Sequence, residues 1–304
     1  MRIVVVGLGI QGEKRLRIAG ADAIATIDPV NPKAQYKTIE SVPADSYDAA
    51  LVCTPDAPKI SILRHLLERG KHVLVEKPLL GDRPEDLAEL DALAKRSGAA
   101  CYTAYNHRFE PHFINLKAVL DSGELGKVHS ARFFYGNGTA RDVRNSPWRD
   151  KGFGVLPDLG SHLLDTILFL FGSIDGACRP WRTDRFENQA FDRYMFGFHG
   201  SLPIDCEMTM LSWRHTFHAD VYGELGSAHI YCLCKWGPST LTVRHRVLPS
   251  GRPDEEAKTL ICADPTWAIE YAHFKALCES PQTNIKNDIW IQSRLEELMS
   301  ATTL

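Results

Sequence analysis

The chain opens on Ile3–Val6, an unbroken β-branched run, and passes straight into Gly7-Leu8-Gly9-Ile10-Gln11-Gly12. A strand that is apolar at every residue must be covered on both faces, which is the condition of a central strand in a parallel sheet. A GxGxxG that follows such a strand and opens a helix has a use for each glycine. Gly7 permits the tight turn, Gly9 lets a pyrophosphate approach the backbone, and Gly12 lets helix and strand pack closely. The helix N-terminus, with Ile10 and Gln11, offers N–H groups and partial positive charge to the phosphates. Asp28 ends a second predicted strand, Ala23–Ile27, 21 residues after Gly7. A carboxylate there reaches the adenosine ribose hydroxyls. A 2′-phosphate at the same place would meet like charge, and the nearest cations are Lys33 and Lys37, so the pattern favours NAD over NADP.

The alternation continues. Ala49–Cys53, His72–Val75 and Ala99–Thr103 read as further strands, and Gln11–Ala19, Ser61–Arg69 and Pro84–Ser97 as helices. The last carries acids in its first turn and Lys95 and Arg96 in its last, matching the helix dipole. Strands separated by helices predict a Rossmann domain, a doubly wound parallel sheet, over residues 1–115. The rhythm then changes. Phe113–Asp121 reads as a helix, Lys127–Tyr135 alternates like a half-buried strand, and Leu159–Phe171 reads as a buried helix. Extended segments follow at 194–199, 204–212, 216–223, 227–233, 240–248 and 258–262, before closing helices over 267–278 and 288–300. The fold class expected is α/β, with a C-terminal α+β domain over 116–304 built on a large, mostly antiparallel sheet.

Composition narrows the partners. The 304 residues suggest about two domains. Lys and Arg number 35 against 38 Asp and Glu, so no basic excess calls for nucleic acid. The most apolar internal segment, Leu163–Phe171, contains Asp165 and Thr166 and falls short of the roughly 18 residues a membrane span needs. The N-terminus lacks the apolar stretch and cleavage site of a secretory signal. Eight cysteines include no CxxC pair. Cys232 and Cys234, placed on one face of a predicted strand, read as core thiols, because no His or Cys partner has zinc-site spacing. A cytoplasmic protein with no metal, no membrane span and no nucleic-acid partner is expected.

Three stretches carry further chemistry: Val75-Glu76-Lys77-Pro78, Tyr105-Asn106-His107-Arg108-Phe109, and the segment from Leu156 to Asp165. Lys77 falls at the carboxyl end of a predicted parallel strand, where open α/β sheets place ligands. Asp158 and His162 are spaced i, i+4 and share one face of a helix that is otherwise almost wholly apolar. Two ionisable groups on such an edge need a polar cavity or each other. Each residue has a plain reading as well: a surface lysine, an N-cap, a hydrogen-bonded core histidine.

Taken in order, GxGxxG, Thr54-Pro55, Glu76-Lys77-Pro78, Asn106-His107-Arg108-Phe109 and the Asp-x-Gly-x-His-x-x-Asp of Asp158 to Asp165 resemble the glucose–fructose oxidoreductase / inositol dehydrogenase (Gfo/Idh/MocA) family. The resemblance implies an NAD(P)-dependent enzyme moving hydride between a secondary alcohol of a sugar, cyclitol or nucleotide-sugar derivative and nicotinamide. It implies a substrate held between the nucleotide domain and the open face of the sheet, and a homodimer or homotetramer. The family's catalytic lysine maps onto Lys77 and its Asp/His pair onto Asp158 and His162. His162, with an ordinary pKa near 6.5, suits removal of the hydroxyl proton, Lys77 would hold the developing alkoxide, and Asp158 would orient the hydroxyl or the histidine. Thr54, Pro55, Glu76 and Lys77 then join the cofactor loop, while Asn106, Arg108, Trp148 and Arg149 line the nicotinamide and substrate. Reduction of a keto-sugar, or a non-catalytic nicotinamide- or sugar-sensing protein, are the alternatives; the intact Lys77, Asp158 and His162 favour the enzyme. Two departures stand out. Pro29 and Pro32 interrupt a stretch where the family has a helix, and Asp56-Ala57-Pro58-Lys59 stands where it has Asn and then His.

Overall fold

The computed structural model describes residues 1–147 and 149–303 and divides the chain into two compact units. The first is Met1–Asn106 with Trp267–Gln292; the second is His107–Thr266 with the residues from Ser293 onward. This differs from a division at 115/116, because the chain leaves the first unit at Asn106 and returns to it near its end.

The first unit contains β1 (Ile3–Val6), α1 (Ile10–Ala19), β2 (Ala23–Ile27), β3 (Ala49–Val52), α2 (Lys59–Leu67), β4 (His72–Glu76), α3 (Asp86–Ser97) and β5 (Cys101–Ala104). Its strands form one parallel sheet in the order β2-β1-β3-β4-β5. β1 and β3 are buried at every position, as strands covered on both faces must be. No helix joins β2 to β3. Pro29 and Pro32 deny this segment two amide donors, and 3-10 turns at Ile39–Ser41 and Ala44–Ser46 take its place. Ile39, Val42 and Tyr47 turn inward and join Val4, Ala50 and Val52 in the core.

The second unit runs through α4 (Pro111–Asp121), β6 (Val128–Gly136), α5 (Ala140–Arg144) and α6 (Ser161–Phe171). Seven strands follow: β7 (Ala177–Asp184), β8 (Arg193–His199), β9 (Ile204–Thr209), β10 (Thr216–Gly223), β11 (Gly226–Tyr231), β12 (Ser239–His245) and β13 (Asp254–Leu260). They pair in the order β13-β12-β11-β10-β6-β9-β8-β7, antiparallel at every pair but β6–β9. In β10 Phe217, Ala219 and Val221 are buried while His218, Asp220 and Tyr222 point to the other face. β7 escaped the sequence reading because Pro180 interrupts it. An edge strand tolerates a missing donor, and the pairing with β8 slips in register between Pro180 and Arg182. Cys232 and Cys234 are buried thiols, but they lie just past β11, with Cys232 at φ 64°, rather than within a strand.

α7 (Thr266–Glu279) and α8 (Ile285–Ser300) close the chain. Nearly all of α7, and α8 as far as Gln292, belong to the first unit. There the Thr103 hydroxyl donates to Asp288 at 2.7 Å and Asn284 brackets the Thr103 backbone. The sequence pattern put both helices in the second domain, because an apolar helix stripe does not say which sheet it covers. Among the described residues no helix is long and apolar enough to cross a membrane, and no cluster of three or more His, Cys, Asp or Glu side chains could hold a metal ion.

Candidate active site

The glycine loop has the geometry its sequence demands. Gly7 sits at φ 91°, and a Cβ there would stand 2.7 Å from the Cys53 carbonyl oxygen. A Cβ on Gly12 would fall 1.8 Å from the Gly7 oxygen, so only glycine allows α1 this close to the loop. Gly9 is different: nothing lies within 4 Å of its Cβ position. Ile10 and Gln11 are exposed at the start of α1. Asp28 ties the loop down, accepting the Leu8 N–H at 2.7 Å and those of Val30 and Asn31 at 2.8 and 2.7 Å. Burial pushes its carboxyl up, but the N–H groups of Asn31, Leu8 and Val30 outweigh this and hold it below the usual range. The turn role and the ribose role of Asp28 are therefore compatible. Past β3, the Thr54 hydroxyl is buried with no hydrogen-bond partner among the described residues, beside an exposed Pro55. An open Gly9 and an orphaned hydroxyl at the carboxyl ends of parallel strands fit a dinucleotide.

Glu76 is occupied. Its carboxylate accepts from Arg15 Nε at 2.7 Å, and the same guanidinium reaches Glu270 at 2.7 Å. Trp267 stacks on that guanidinium at 4.2 Å and carries the Lys14 ammonium at 3.7 Å. Glu76 thus anchors the end of β4, leaving Lys77, half-buried, as the first residue beyond it. Asp56 is also answered: Lys59 donates to it at 2.8 Å and to the Pro78 carbonyl at 2.7 Å. Asn106 is buried at the end of this unit.

In the second unit the segment before α6 departs from the predicted single helix. Leu156–Gly160 is a π-helical turn, so the spacing from Asp158 to His162 crosses from π to α geometry. Pro157, which has no N–H to donate, sits in that turn. π-turns of this kind recur at functional sites. His162 is 8% exposed, and its ring lies 4.2 Å from that of His107, nearly parallel at 17°. Tyr135 meets His162 edge-on at 5.9 Å. Burial pushes the Tyr135 phenol up, and the Asp158 carboxylate adds to it. Tyr135 and Phe217, which packs on His107, belong to the buried face of the sheet, so His162 lies on that side and not on the open one. Arg149 stands 3.8 Å from Asp158. Arg108, expected to line the substrate, grips Asp165, with Nε at 2.9 Å and Nη2 at 2.6 Å. The last Asp of the motif is therefore the counter-ion of Arg108. Trp148 lies outside the described residues. Lys59, Arg15, Glu270 and Lys235 were missed by the sequence reading; only Lys59, replacing a family His, left a signal.

Residues 1–105 match the family model described as an oxidoreductase family with an NAD-binding Rossmann fold, and residues 113–229 match the GFO/IDH/MocA C-terminal domain. The chain belongs to the Gfo/Idh/MocA family of oxidoreductases, and its first unit carries the NAD-binding domain. The uncharacterized oxidoreductase YdgJ of Escherichia coli (strain K12) is 32% identical over 49% of this chain, a match that spans 45% of its own length. The scyllo-inositol 2-dehydrogenase (NAD(+)) of Bacillus subtilis (strain 168) is 25% identical over 99% of this chain and 93% of its own. A solved levoglucosan dehydrogenase in complex with NADH has the same fold, with a TM-score of 0.84 over 99% of this chain and 96% of that one at 18% identity.

Proposed function

We propose that the protein is an NAD-dependent dehydrogenase acting on a secondary alcohol of a sugar, cyclitol or nucleotide-sugar derivative. The observation that carries this is His162 set edge-on to Tyr135 on the buried side of the sheet, with the Asp158 carboxylate acting on the same phenol. Bound NAD supplies the acceptor for the hydride leaving the carbinol carbon. His162 takes the hydroxyl proton as that C–H bond breaks, so the alcohol becomes a ketone. Lys77 holds the oxygen as negative charge develops on it, and Asp158 orients the hydroxyl. Asp28 selects NAD over NADP by repelling a 2′-phosphate. The Bacillus relative's name as a scyllo-inositol dehydrogenase supports a polyol ring as substrate.

The test is reduced-nicotinamide formation by the purified chain with NAD and NADP separately, against sugars, inositols, uronic acids and nucleotide sugars. Turnover with NAD and one polyol class is the expected result. Binding of NAD without turnover on any member would favour a sensor.

We also propose that the open sheet face pairs with a second copy. It carries Trp181, 54% exposed, and a cavity of about 330 Å³ lined by Arg132, Phe134, Met195 and His218 among others. Light scattering on the purified protein should give a dimer or tetramer.

A further inference from the structure

His107 is a motif residue that the proposed chemistry leaves unused, and its surroundings are specific. It is 1% exposed, with its ring wedged against Phe113 at 6.0 Å, Phe217 at 6.3 Å and Tyr135 at 5.5 Å. One face stacks on His162. At its edge, Lys235 Nζ lies 2.9 Å from Nε2. Lys235 does not reach this point by chance of a long side chain. It sits in a short 3-10 turn, Cys234–Trp236, which Glu110 fixes by accepting the Cys234 N–H at 2.9 Å and its thiol at 3.2 Å. Glu110 is itself fully buried. The Lys235 ammonium also rests 4.7 Å above the Trp236 ring.

An ammonium has three donors and no acceptor, so the imidazole nitrogen facing it must present a lone pair. That assigns the proton of His107 to Nδ1 and leaves the ring neutral. A neutral ring can stack on His162 in both of its protonation states, whereas an imidazolium would repel a protonated His162 across 4.2 Å. We propose that Lys235 is a positioning residue. Acting through His107, it keeps the ring stacked on His162 neutral and in one tautomer, so that a proton arriving at the pair goes to His162. This rests on the reading of His162 as the base.

The test is nitrogen-15 NMR of the full chain labelled at histidine, at neutral pH and without substrate. The expected wild-type His107 has an unprotonated, hydrogen-bonded Nε2. Lys235→Met should abolish that signature and move the His162 resonances, and Lys235→Arg should restore both. A protonated Nε2 in the wild type, or His162 resonances identical in wild type and Lys235→Met, would overturn the proposal. With NAD and scyllo-inositol, Lys235→Met should lower kcat about 10- to 100-fold with little change in KM, and Lys235→Arg should recover most of it. A wild type inactive on every polyol would count against the proposed dehydrogenase, while the NMR result would still decide the Lys235–His107 arrangement.

Discussion

Lys59 donates to the Pro78 carbonyl at 2.7 Å from a side chain that is only 2% exposed, and the same ammonium holds Asp56 at 2.8 Å. Burial lowers the pKa of Lys59, and the Asp56 carboxylate resists that shift. The carbonyl belongs to the residue after Lys77, so α2 is tied to the strand end that carries Lys77. Lys59→Met keeps the length and removes the donor. It leaves a half-buried carbonyl without this donor, at a cost of about 1 kcal/mol. A thermal melt should show the lower midpoint, and kcat should fall by more than KM rises. An unchanged melt would mean that water replaces the ammonium there.

The Asp28 carboxylate accepts three backbone N–H groups, and its folded pKa lies below the usual value. A depressed carboxyl stabilises the fold above the unfolded pKa, near 3.9. That contribution disappears as pH falls through the lower, folded value. A carbon-13 carboxyl titration of Asp28 should therefore have its midpoint below about 3.9. Asp28→Ala should weaken NAD about 10- to 100-fold and narrow the gap to NADP, read by fluorescence titration with each nucleotide. An NAD-to-NADP ratio that the substitution leaves intact would show that Asp28 serves the loop alone.

What was legible in the chain follows from how local the constraint is. Gly7 and Gly12 are dictated by backbone contacts within a few residues or one strand away, so the motif and the parallel sheet could be read directly. The same holds for the missing helix after Asp28, which Pro29 and Pro32 announce. Arg15 was not legible, because its carboxylate partners lie 61 and 255 positions away and a helix arginine looks the same whether solvated or buried. The partner of Arg108 was not legible for the same reason: a guanidinium near a pocket motif suits a substrate anion and Asp165 equally well. The π-turn at Leu156–Gly160 keeps the Asp158 to His162 spacing in sequence while changing the geometry, which no periodicity can report.

Arg108→Met tests whether Arg108 serves Asp165 or the substrate. Asp165 is 1% exposed, and removing its cation leaves a buried carboxylate alone. Burial already pushes its carboxyl up, against the pull of Arg108. Breaking such a pair by one partner costs about 3–5 kcal/mol, whereas replacing both by apolar groups is often close to neutral. Denaturant melts should therefore show Arg108→Met strongly destabilised and Arg108→Met with Asp165→Leu largely recovered. A single variant of normal stability whose KM alone rises would return Arg108 to the substrate.

His162 is the residue on which the proposed chemistry turns, and its removal separates chemistry from binding. The glycine loop, Asp28 and Thr54 lie in the NAD-binding domain, and His162 lies in the other unit. His162→Ala should lower kcat by roughly 10²–10⁴ while leaving the NAD dissociation constant nearly unchanged. The ring also fills space against His107 and Tyr135, so the alanine variant opens a gap beside both. His162→Gln fills more of that gap and cannot act as a base at neutral pH. If both variants lose turnover equally, the imidazole is needed for its proton chemistry. Recovery of kcat by the glutamine variant would mean that His162 is needed only for packing, and the base would have to be sought elsewhere.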